Sequence, residues 1–277
     1  MSGTAVITLA HGRHEHLAAQ HRALGLCPVP PDDYVVVAMD DPWIEAWQPA
    51  DRPVPRVVDV PLADGRLPLA AARNLGARAA LEAGADVLVF LDVDCLPGPG
   101  LVEGYRDAVA TAADRVWSGP VTYLPPPPPG GYDLSDLGGA DDPHPARPAP
   151  GPGTLLPQDD PDLFWSLSFA VHRRAWERVG GFCEQYTGYG GEDTDFARCV
   201  LAAGLGLGWT GGARAYHQHH PVESPPVRHL NDVLRNGSLF HQRWGTWPMQ
   251  GWLREFERLG LVERAGEGWR RVRASSR

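Results

Sequence analysis

Two acidic residues that could bind a metal ion, Asp92 and Asp94, follow an apolar run and are separated by a single valine. If the run is a strand that includes both, their side chains point to the same face, as residues two apart in a strand do. Two carboxylates on one face suit a hard cation such as Mg²⁺ or Mn²⁺, which keeps positions for water or phosphate oxygens. The pair predicts a divalent-cation site, with two solvated acids in a turn as the alternative.

A second acidic cluster lies in the sequence GYGGEDTDF, residues 188–196. The glycines allow tight turns and close approach of a ligand to the backbone. Glu192, Asp193 and Asp195 follow at the predicted start of a helix, where acidic residues are stabilising, but one would be enough for that purpose. We therefore expect one of the three to act as a general base, ionised near neutral pH because a carboxyl group ordinarily has a pKa near about 4.

A third cluster contains His217, His219 and His220, in the sequence AYHQHHP. Neutral imidazole binds divalent transition metals. If the segment is a strand, His217 and His219 lie on one face. A single histidine is usually a surface or core residue, but three within four positions favour a functional cluster.

Candidate ligand-binding groups also lie outside these clusters. Arg13 and Arg73 carry guanidinium groups that can bind a phosphate with two hydrogen bonds, and Asn74 can bond a base or a ribose. Structural hydrogen bonding is an equal alternative for all three. Aromatic rings on which a sugar could stack also occur, although core packing is the plainer interpretation of each: these are Trp165, Tyr186 and Tyr189 near the acids, and Trp244, Trp247 and Trp252 near the C-terminus.

The segments that must position these groups alternate between strand and helix patterns. Strands are predicted at residues 4–10, 33–41, 54–62, 85–94 and 115–125, and helices at 13–24, 68–84, 100–110 and 190–204. This order predicts an α/β fold with a mostly parallel central sheet flanked by helices. Ligands bind at the carboxyl ends of such strands, and His11, Asp40 and Asp92 lie at that edge.

Composition excludes several classes of protein. The chain has 277 residues, a net charge of −9 and no lysine, and without a basic run it is not expected to bind nucleic acid. Its four cysteines lack zinc-site spacing, so structural, reduced thiols are expected. No apolar run approaches the roughly 20 residues of a membrane helix and no secretory leader is visible, which predicts a cytoplasmic protein. The 32 Gly and 28 Pro, with arginine replacing lysine throughout, are typical of a GC-rich bacterial genome.

Two regions differ from the rest of the chain. Residues 125–161 are rich in proline and glycine and are not expected to form regular sheet or helix, so a loop on the acceptor side of a site is expected there rather than a plain linker. Residues 222–277 predict two further helices. The sequence thus predicts one catalytic domain over residues 1–221 and a C-terminal helical extension over residues 222–277.

Taken in order, these motifs resemble those of metal-dependent GT-A glycosyltransferases of the family-two type. The similarity is strongest to the group that shares a segment with beta-1,4-galactosyltransferases and chondroitin-polymerase-type enzymes. It extends over residues 4–221 and depends on FLDVDC, VGGFCEQYTGYGGEDTDFARC and AYHQHHP. The resemblance implies a Rossmann-like GT-A domain with Mn²⁺ or Mg²⁺ as cofactor. It also implies a nucleotide-sugar donor, which by family default is a UDP-sugar. The implied acceptor is a hydroxyl group of a sugar, a lipid-linked compound or a small molecule.

The resemblance also implies roles for individual residues. Asp94 and His217 match the metal ligands of the family, with Asp92 and His219 as further candidates. Donor contacts are implied for Arg13, Asp40, Arg73, Asn74 and Asp92. Asp193 matches the catalytic base and Glu192 an acceptor contact, with Trp165 and Tyr189 as aromatic acceptor contacts. Tyr189 stands where the family often has tryptophan.

These roles imply an inverting hexosyl transfer by a single displacement, in which Asp193 deprotonates the acceptor hydroxyl. Three alternatives remain. A sugar nucleotidyltransferase would usually carry a glycine-rich phosphate loop, which LAHGRHEH lacks. A non-catalytic relative that only binds nucleotide-sugars would be expected to have lost site residues. A retaining transferase would differ in the anomer of its product.

Overall fold

The apolar runs of the sequence form strands of a layered α/β structure, a computed structural model that describes residues 3–272. The strands are β1 (Gly3–Ala10), β2 (Asp33–Met39), β3 (Pro55–Val60), β4 (Ala85–Leu91), β5 (Cys95–Pro97), β6 (Arg115–Ser118), β7 (Val121–Tyr123), β8 (Leu155–Pro157), β9 (Ser168–His172), β10 (Gly206–Thr210), β11 (Ala215–His217), β12 (Val262–Ala265) and β13 (Gly268–Arg271). The helices are α1 (His14–Gly25), α2 (Pro42–Glu45), α3 (Leu69–Glu82), α4 (Leu101–Thr111), α5 (Arg173–Val179), α6 (Glu192–Ala202), α7 (Leu230–Trp244) and α8 (Gln250–Arg258).

The central sheet has eight strands in the order β3-β2-β1-β4-β9-β6-β10-β8. Strands β1 to β4, β6 and β10 run in one direction, whereas β9 and β8 are antiparallel to their neighbours. The predicted α/β fold with a mostly parallel sheet is therefore confirmed. Parallel strands need both faces covered, which explains why these segments are apolar throughout rather than alternating.

Each face of the sheet packs on helices. On one face, α3, α5 and α6 contribute buried residues such as Ala77, Trp176 and Phe196. On the other, α1 and α4 contribute Leu17 and Tyr105. Helix α3 approaches the sheet closely because it is built from small residues, and a Cβ atom on its Gly76 would lie 2.5 Å from Ile7.

The strands end earlier than the sequence predicts, and these ends shape the site. Strand β4 stops at Leu91, so Asp92 and Asp94 belong to the loop that follows it. The predicted strand at 115–125 is two strands, β6 and β7, in different sheets. The chain crosses between them at Gly119, where a Cβ atom would lie 1.8 Å from the carbonyl oxygen of Ala213, so only glycine fits.

A small second sheet carries the histidine segment. Its order is β5-β11-β7, and the register places His217 opposite both Cys95 and Tyr123. Because β5 begins directly after Asp94, this sheet brings the histidine segment next to the acidic loop that follows β4.

The Pro-rich segment at 125–161 is attached to both sheets rather than forming a free linker. Its strand β8 pairs with β10 at the edge of the central sheet. The His144 amide donates to the Val121 carbonyl at 3.0 Å, and Asp141 accepts from Arg214 at 2.6 Å. The segment is otherwise irregular, as its composition predicts.

The two predicted C-terminal helices are α7 and α8, and they are followed by a hairpin of β12 and β13 that the sequence analysis did not predict. The helices and hairpin share an apolar cluster that includes Val233, Phe256 and Trp269. A domain division at residue 221 stays a prediction.

The four cysteines are free thiols, as predicted. Among residues 3–272, no helix is long and apolar enough to cross a membrane.

Candidate active site

A cleft of about 1250 Å³ opens at the carboxyl ends of β1 and β4. Ligands bind at this edge of parallel sheets because the loops there converge. The loops after these strands, the start of α6 and the C-terminal segment all contribute to its lining. Residues that line it include Arg13, Arg73, Asp92, Asp94, Tyr123, His144, Trp165, Tyr189, Glu192, Asp193, Arg198, Trp247, Met249 and Trp252.

Asp94, which lines this cleft, lies against two histidines. Its Oδ2 atom is 3.4 Å from Nε2 of His217 and 3.3 Å from Nε2 of His220. One donor atom from each of the three residues lies within 4.8 Å of the others, close enough to share one ion. Tyr123 stacks on the ring of His217, with 4.5 Å between ring centroids, and restricts its orientation.

Two of the predicted metal-ligand candidates lie outside this cluster. His219 is exposed and lies outside the cluster, and His220 takes its place. Strand β11 ends at His217, so the alternation that would place His217 and His219 together no longer applies. Asp92 is also not part of the cluster, since it lies beyond the end of β4 and pairs with an arginine instead.

The chemistry of the three donors fits a divalent transition metal. Two imidazoles with one carboxylate favour such an ion over Mg²⁺, which prefers oxygen ligands. Burial alone would raise the pKa of Asp94, but hydrogen bonds and positive charge from His217 and His220 hold that pKa well below its usual range. Asp94 is thus an anion over the whole physiological pH range, as a metal ligand must be.

Arg73 of α3 connects the two acidic motifs. Its Nη2 donates to Asp92 Oδ1 at 3.4 Å and its Nη1 to Glu192 Oε1 at 3.3 Å. Arg73 is only 3% exposed, so its charge is offset by these two carboxylates rather than by water. Burial, and then the nearby charges of Asp94 and Glu192, raise the pKa of Asp92 to about 6, although Arg73 opposes that rise.

The three acids at the start of α6 have different surroundings. Asp195 is buried and its Oδ1 accepts hydrogen bonds from Tyr186, Arg243 and Trp244, which gives it a structural role. Glu192 is also buried, and its Oε2 atom has no protein partner among residues 3–272. An unpartnered carboxylate oxygen at a cleft wall can accept a hydrogen bond from a ligand hydroxyl.

Asp193 lines the cleft beside Glu192. Burial, and then the negative charge of Glu192, raise its pKa to about 7, although Arg73 and the amide of Thr194 partly offset the rise. The amide of Thr194 donates to its Oδ1 at 2.7 Å. A carboxyl group with a pKa near neutrality can both take and return a proton, as a general base requires.

Of the predicted donor contacts, Arg13 and Asp40 follow β1 and β2. Arg13 lines the cleft, with a left-handed backbone at φ 53°. Asp40 is exposed and is not among the lining residues. Its neighbour Asp41 is buried instead and makes several hydrogen bonds. Asp41 Oδ2 accepts from the amide of Gly12 at 2.7 Å and from His14 at 2.9 Å, and so fixes the loop that carries Arg13.

Asn74 is not brought into the cleft. Its side chain donates to the carbonyl of Phe182 at 2.9 Å and accepts from the amide of the same residue at 2.8 Å. It therefore joins α3 to the loop before α6. Of the adjacent pair Arg73 and Asn74, only Arg73 faces the cleft, because neighbouring helical residues point in directions about 100° apart.

The predicted aromatic contacts Trp165 and Tyr189 both line the cleft, whereas Tyr186 is buried against Asp195. Tyr189 is 38% exposed and stacks on Trp252 of α8, with 5.6 Å between ring centroids. Trp252 is one of the tryptophans for which core packing was the plainer interpretation. Its position instead extends the aromatic surface of the cleft.

The C-terminal segment also holds the glycine-rich loop before α6. Asn236 of α7 is buried and its Nδ2 donates to the carbonyl of Gly190 at 2.8 Å. Gly190 has φ 89°, and a Cβ atom there would lie 2.6 Å from the sulfur of Met249. The loop and the C-terminal segment therefore form one wall.

Several lining residues were missed by sequence reasoning because nothing in their spacing marks them. His144 reaches the cleft from the Pro-rich segment and contacts Trp165 edge-on, with ring centroids 5.4 Å apart. Arg147 does not line the cleft but stacks on the same tryptophan, with its guanidinium carbon 4.4 Å from the Trp165 ring centroid. The sequence indicated only that the Pro-rich segment at 125–161, which contains both residues, would form a loop on the acceptor side of a site.

Comparisons with known proteins agree with this architecture. Residues 158–221 match the family model described as the N-terminal domain of galactosyltransferase. No curated protein sequence matches the chain significantly. The fold is similar to a crystal structure of GalNAc-T7 with UDP, GalNAc and Mn²⁺, at a TM-score of 0.54 and 13% identity over 93% of this chain and 57% of that one.

It is also similar to a crystal structure of S. aureus TarS 1–349, at a TM-score of 0.54 and 12% identity over 86% of this chain and 64% of that one. This chain thus spans between 57% and 64% of the length of these two structures. At such low identity the likeness shows the fold alone. The protein has the fold of the GT-A glycosyltransferases, and the predicted resemblance is confirmed at that level.

Proposed function

We propose that the protein is a metal-dependent, inverting glycosyltransferase that moves a hexosyl group from a UDP-sugar to an acceptor hydroxyl. The observation that carries the proposal is that one cleft is lined both by Asp94, which lies against His217 and His220, and by Asp193, whose pKa is raised. Displacement of a diphosphate from the anomeric carbon of a sugar needs a stabilised leaving group and a base for the nucleophile, and the site supplies groups for both.

The donor end of the cleft is assigned to the loops after β1 and β4. A divalent cation held by Asp94, His217 and His220 would offset the negative charge on the departing diphosphate. Arg13 is exposed at the same edge and can bind a phosphate oxygen. Mn²⁺ is the preferred candidate because imidazole donors suit it better than Mg²⁺. Mn²⁺ and UDP are also present in the GalNAc-T7 structure of similar fold.

Asp193 is assigned as the base. Its carboxylate takes the proton of the acceptor hydroxyl, the hydroxyl oxygen bonds to the anomeric carbon, and the bond between that carbon and the diphosphate breaks to release UDP. A single displacement from the opposite face inverts the anomeric configuration. The free Oε2 atom of Glu192 accepts a hydrogen bond from a second acceptor hydroxyl, and Tyr189 and Trp165 provide rings on which the acceptor stacks.

The test is release of UDP from a panel of UDP-hexoses by the purified chain, with Mn²⁺ and a mixture of sugar acceptors, followed by identification of the product anomer. Turnover that requires Mn²⁺ and yields an inverted product supports the proposal. A retained anomer contradicts inversion. Pyrophosphate release from a nucleoside triphosphate would favour a nucleotidyltransferase, and UDP binding without any turnover would favour a non-catalytic relative.

A further inference from the structure

Arg198 lies on α6 five residues after Asp193, about 7.5 Å further along the helix axis at 1.5 Å per residue. Its side chain lines the same cleft, next to Phe240 and Trp247. Its guanidinium carbon is 5.0 Å from the ring centroid of Phe240 and 5.8 Å from that of Trp244. Aromatic faces attract a cation and hold it in place, but they do not neutralise its charge.

The acidic residue best placed to pair with Arg198 is Asp195, three positions earlier on the helix. Asp195 is already occupied, since its Oδ1 accepts from Arg243 and Trp244 at 2.7 Å each. Within residues 3–272, no carboxylate oxygen lies within 4.0 Å of the Arg198 guanidinium nitrogens. Its Nε is buried and without a partner in the same range.

This arrangement contrasts with that of Arg73 in the same cleft, which has two carboxylate partners. The wall that carries Trp165 has a further unpaired cation, Arg147, which is 7% exposed and whose Nε and Nη2 have no partner among the described residues. Unpaired guanidinium groups are unexpected in a chain of net charge −9, since acidic residues are plentiful. A planar guanidinium group binds carboxylate or phosphate through paired hydrogen bonds.

We propose that Arg198 binds an anionic group of the acceptor, so that the acceptor is a sugar acid or a phosphorylated compound rather than a neutral sugar. The proposal rests on the proposed glycosyl transfer. It places the anion on the acceptor because the donor diphosphate is assigned to Asp94, its histidines and Arg13, on other loops. Arg198 lies instead against Phe240 and Trp244 of α7, in the cleft that Trp165 and Tyr189, assigned to the acceptor, also line.

Binding of three matched probes to the complete chain tests this inference: glucose, glucuronate and glucose 6-phosphate, titrated by calorimetry with and without UDP and Mn²⁺. We expect at least one anionic probe to bind roughly tenfold or more tightly than glucose, as a charge-assisted, bidentate contact implies. The two anionic probes distinguish a carboxylate from a phosphate as the recognised group. Equal affinity for all three probes overturns the proposal.

The variants Arg198→Gln and Arg198→Lys locate the effect. Glutamine should reduce the affinity for the anionic probe to that for glucose, and lysine should keep part of the preference. Arg254→Gln is the matched control, because Arg254 is exposed on α8 and does not line the cleft. An anion preference that survives in Arg198→Gln overturns the proposal.

Binding of UDP with Mn²⁺, followed as a thermal shift, separates this inference from the proposed function. Arg198→Gln should keep the wild-type shift, which also shows that the variant is folded. A reduced UDP shift in this variant would place Arg198 on the donor and overturn the inference. If the wild-type chain binds no UDP, the proposed function fails, whereas an anion preference that Arg198→Gln removes would still support the binding role of Arg198.

Discussion

The Nε2 atom of His220 lies 3.3 Å from Oδ2 of Asp94, although the two residues belong to different motifs that are far apart in the sequence. The contact forms because β11 pairs with β5, which follows Asp94 directly. The loop after β11 then turns His220 back toward the acid, beside His217. The second sheet therefore brings one carboxylate and two imidazoles close together.

His220→Ala should weaken Mn²⁺ binding by roughly tenfold or more, because even residues that only orient a metal ligand contribute factors of 10 to 100. His219→Ala is the matched control. His219 is adjacent in sequence but exposed and outside the cluster, so its removal should leave the affinity unchanged. Calorimetric titration with Mn²⁺ measures both. Equal losses in the two variants would contradict the assignment of His220.

Asp193→Asn should lower kcat by roughly 10² to 10⁴, the usual contribution of a general base, with little change in the affinity for UDP and Mn²⁺. Asparagine keeps the shape of the side chain but cannot take a proton. Steady-state release of UDP measures kcat, and the thermal shift with UDP and Mn²⁺ checks donor binding. A variant with wild-type turnover would remove Asp193 from the mechanism.

The rate should depend on the ionisation of Asp193. Because burial and Glu192 raise its pKa to about 7, the carboxylate form that acts as a base is lost as the pH falls below that value. We expect kcat/KM to fall about tenfold per pH unit on the acid side and to level off above neutrality.

Glu192→Gln removes one cause of this shift and should move the acid limb to lower pH while raising KM for the acceptor. The measurement is a pH profile from 5 to 9 at saturating Mn²⁺, for wild type and variant. A limb at the same pH in both proteins would show that another group controls the rate.

The sequence predicted the fold because its apolar runs and helical spacings are local signals, and because strands buried on both faces must be apolar along their whole length. It also singled out Asp94, His217 and Asp193. In the structure Asp94 and Asp193 line one cleft, and His217 lies against Asp94. The roles of these residues rest on the proposed function.

The remaining features depend on contacts that no local pattern contains. The split of β6 from β7 is set by the close approach of Gly119 to Ala213, a residue far away in the chain. His220 was not singled out above His219 because strand alternation was extended past the end of β11. The position of Trp252 against Tyr189 depends on how α7 and α8 pack, through Asn236, on the glycine-rich loop.

Arg73→Met should destabilise the folded chain by about 3–5 kcal/mol at pH 8, the typical result of removing one partner from a buried ion pair. The change leaves the buried Glu192 and the half-buried Asp92 without a counter-charge. The loss should be smaller at pH 5. Without Arg73 the pKa of Asp92, already about 6, rises further, and a carboxyl whose pKa is raised on folding favours the native state below that pKa and disfavours it above.

Arg78→Met is the matched control for this prediction, since Arg78 lies on the same helix but is exposed, and a surface substitution usually changes stability by no more than about 0.5 kcal/mol. Urea unfolding at the two pH values measures both variants. An Arg73→Met loss that is equal at pH 5 and pH 8 would show that Arg73 stabilises the fold through packing alone, for example against the Phe182 ring 5.1 Å from its guanidinium carbon, rather than by compensating the charges of the two acids.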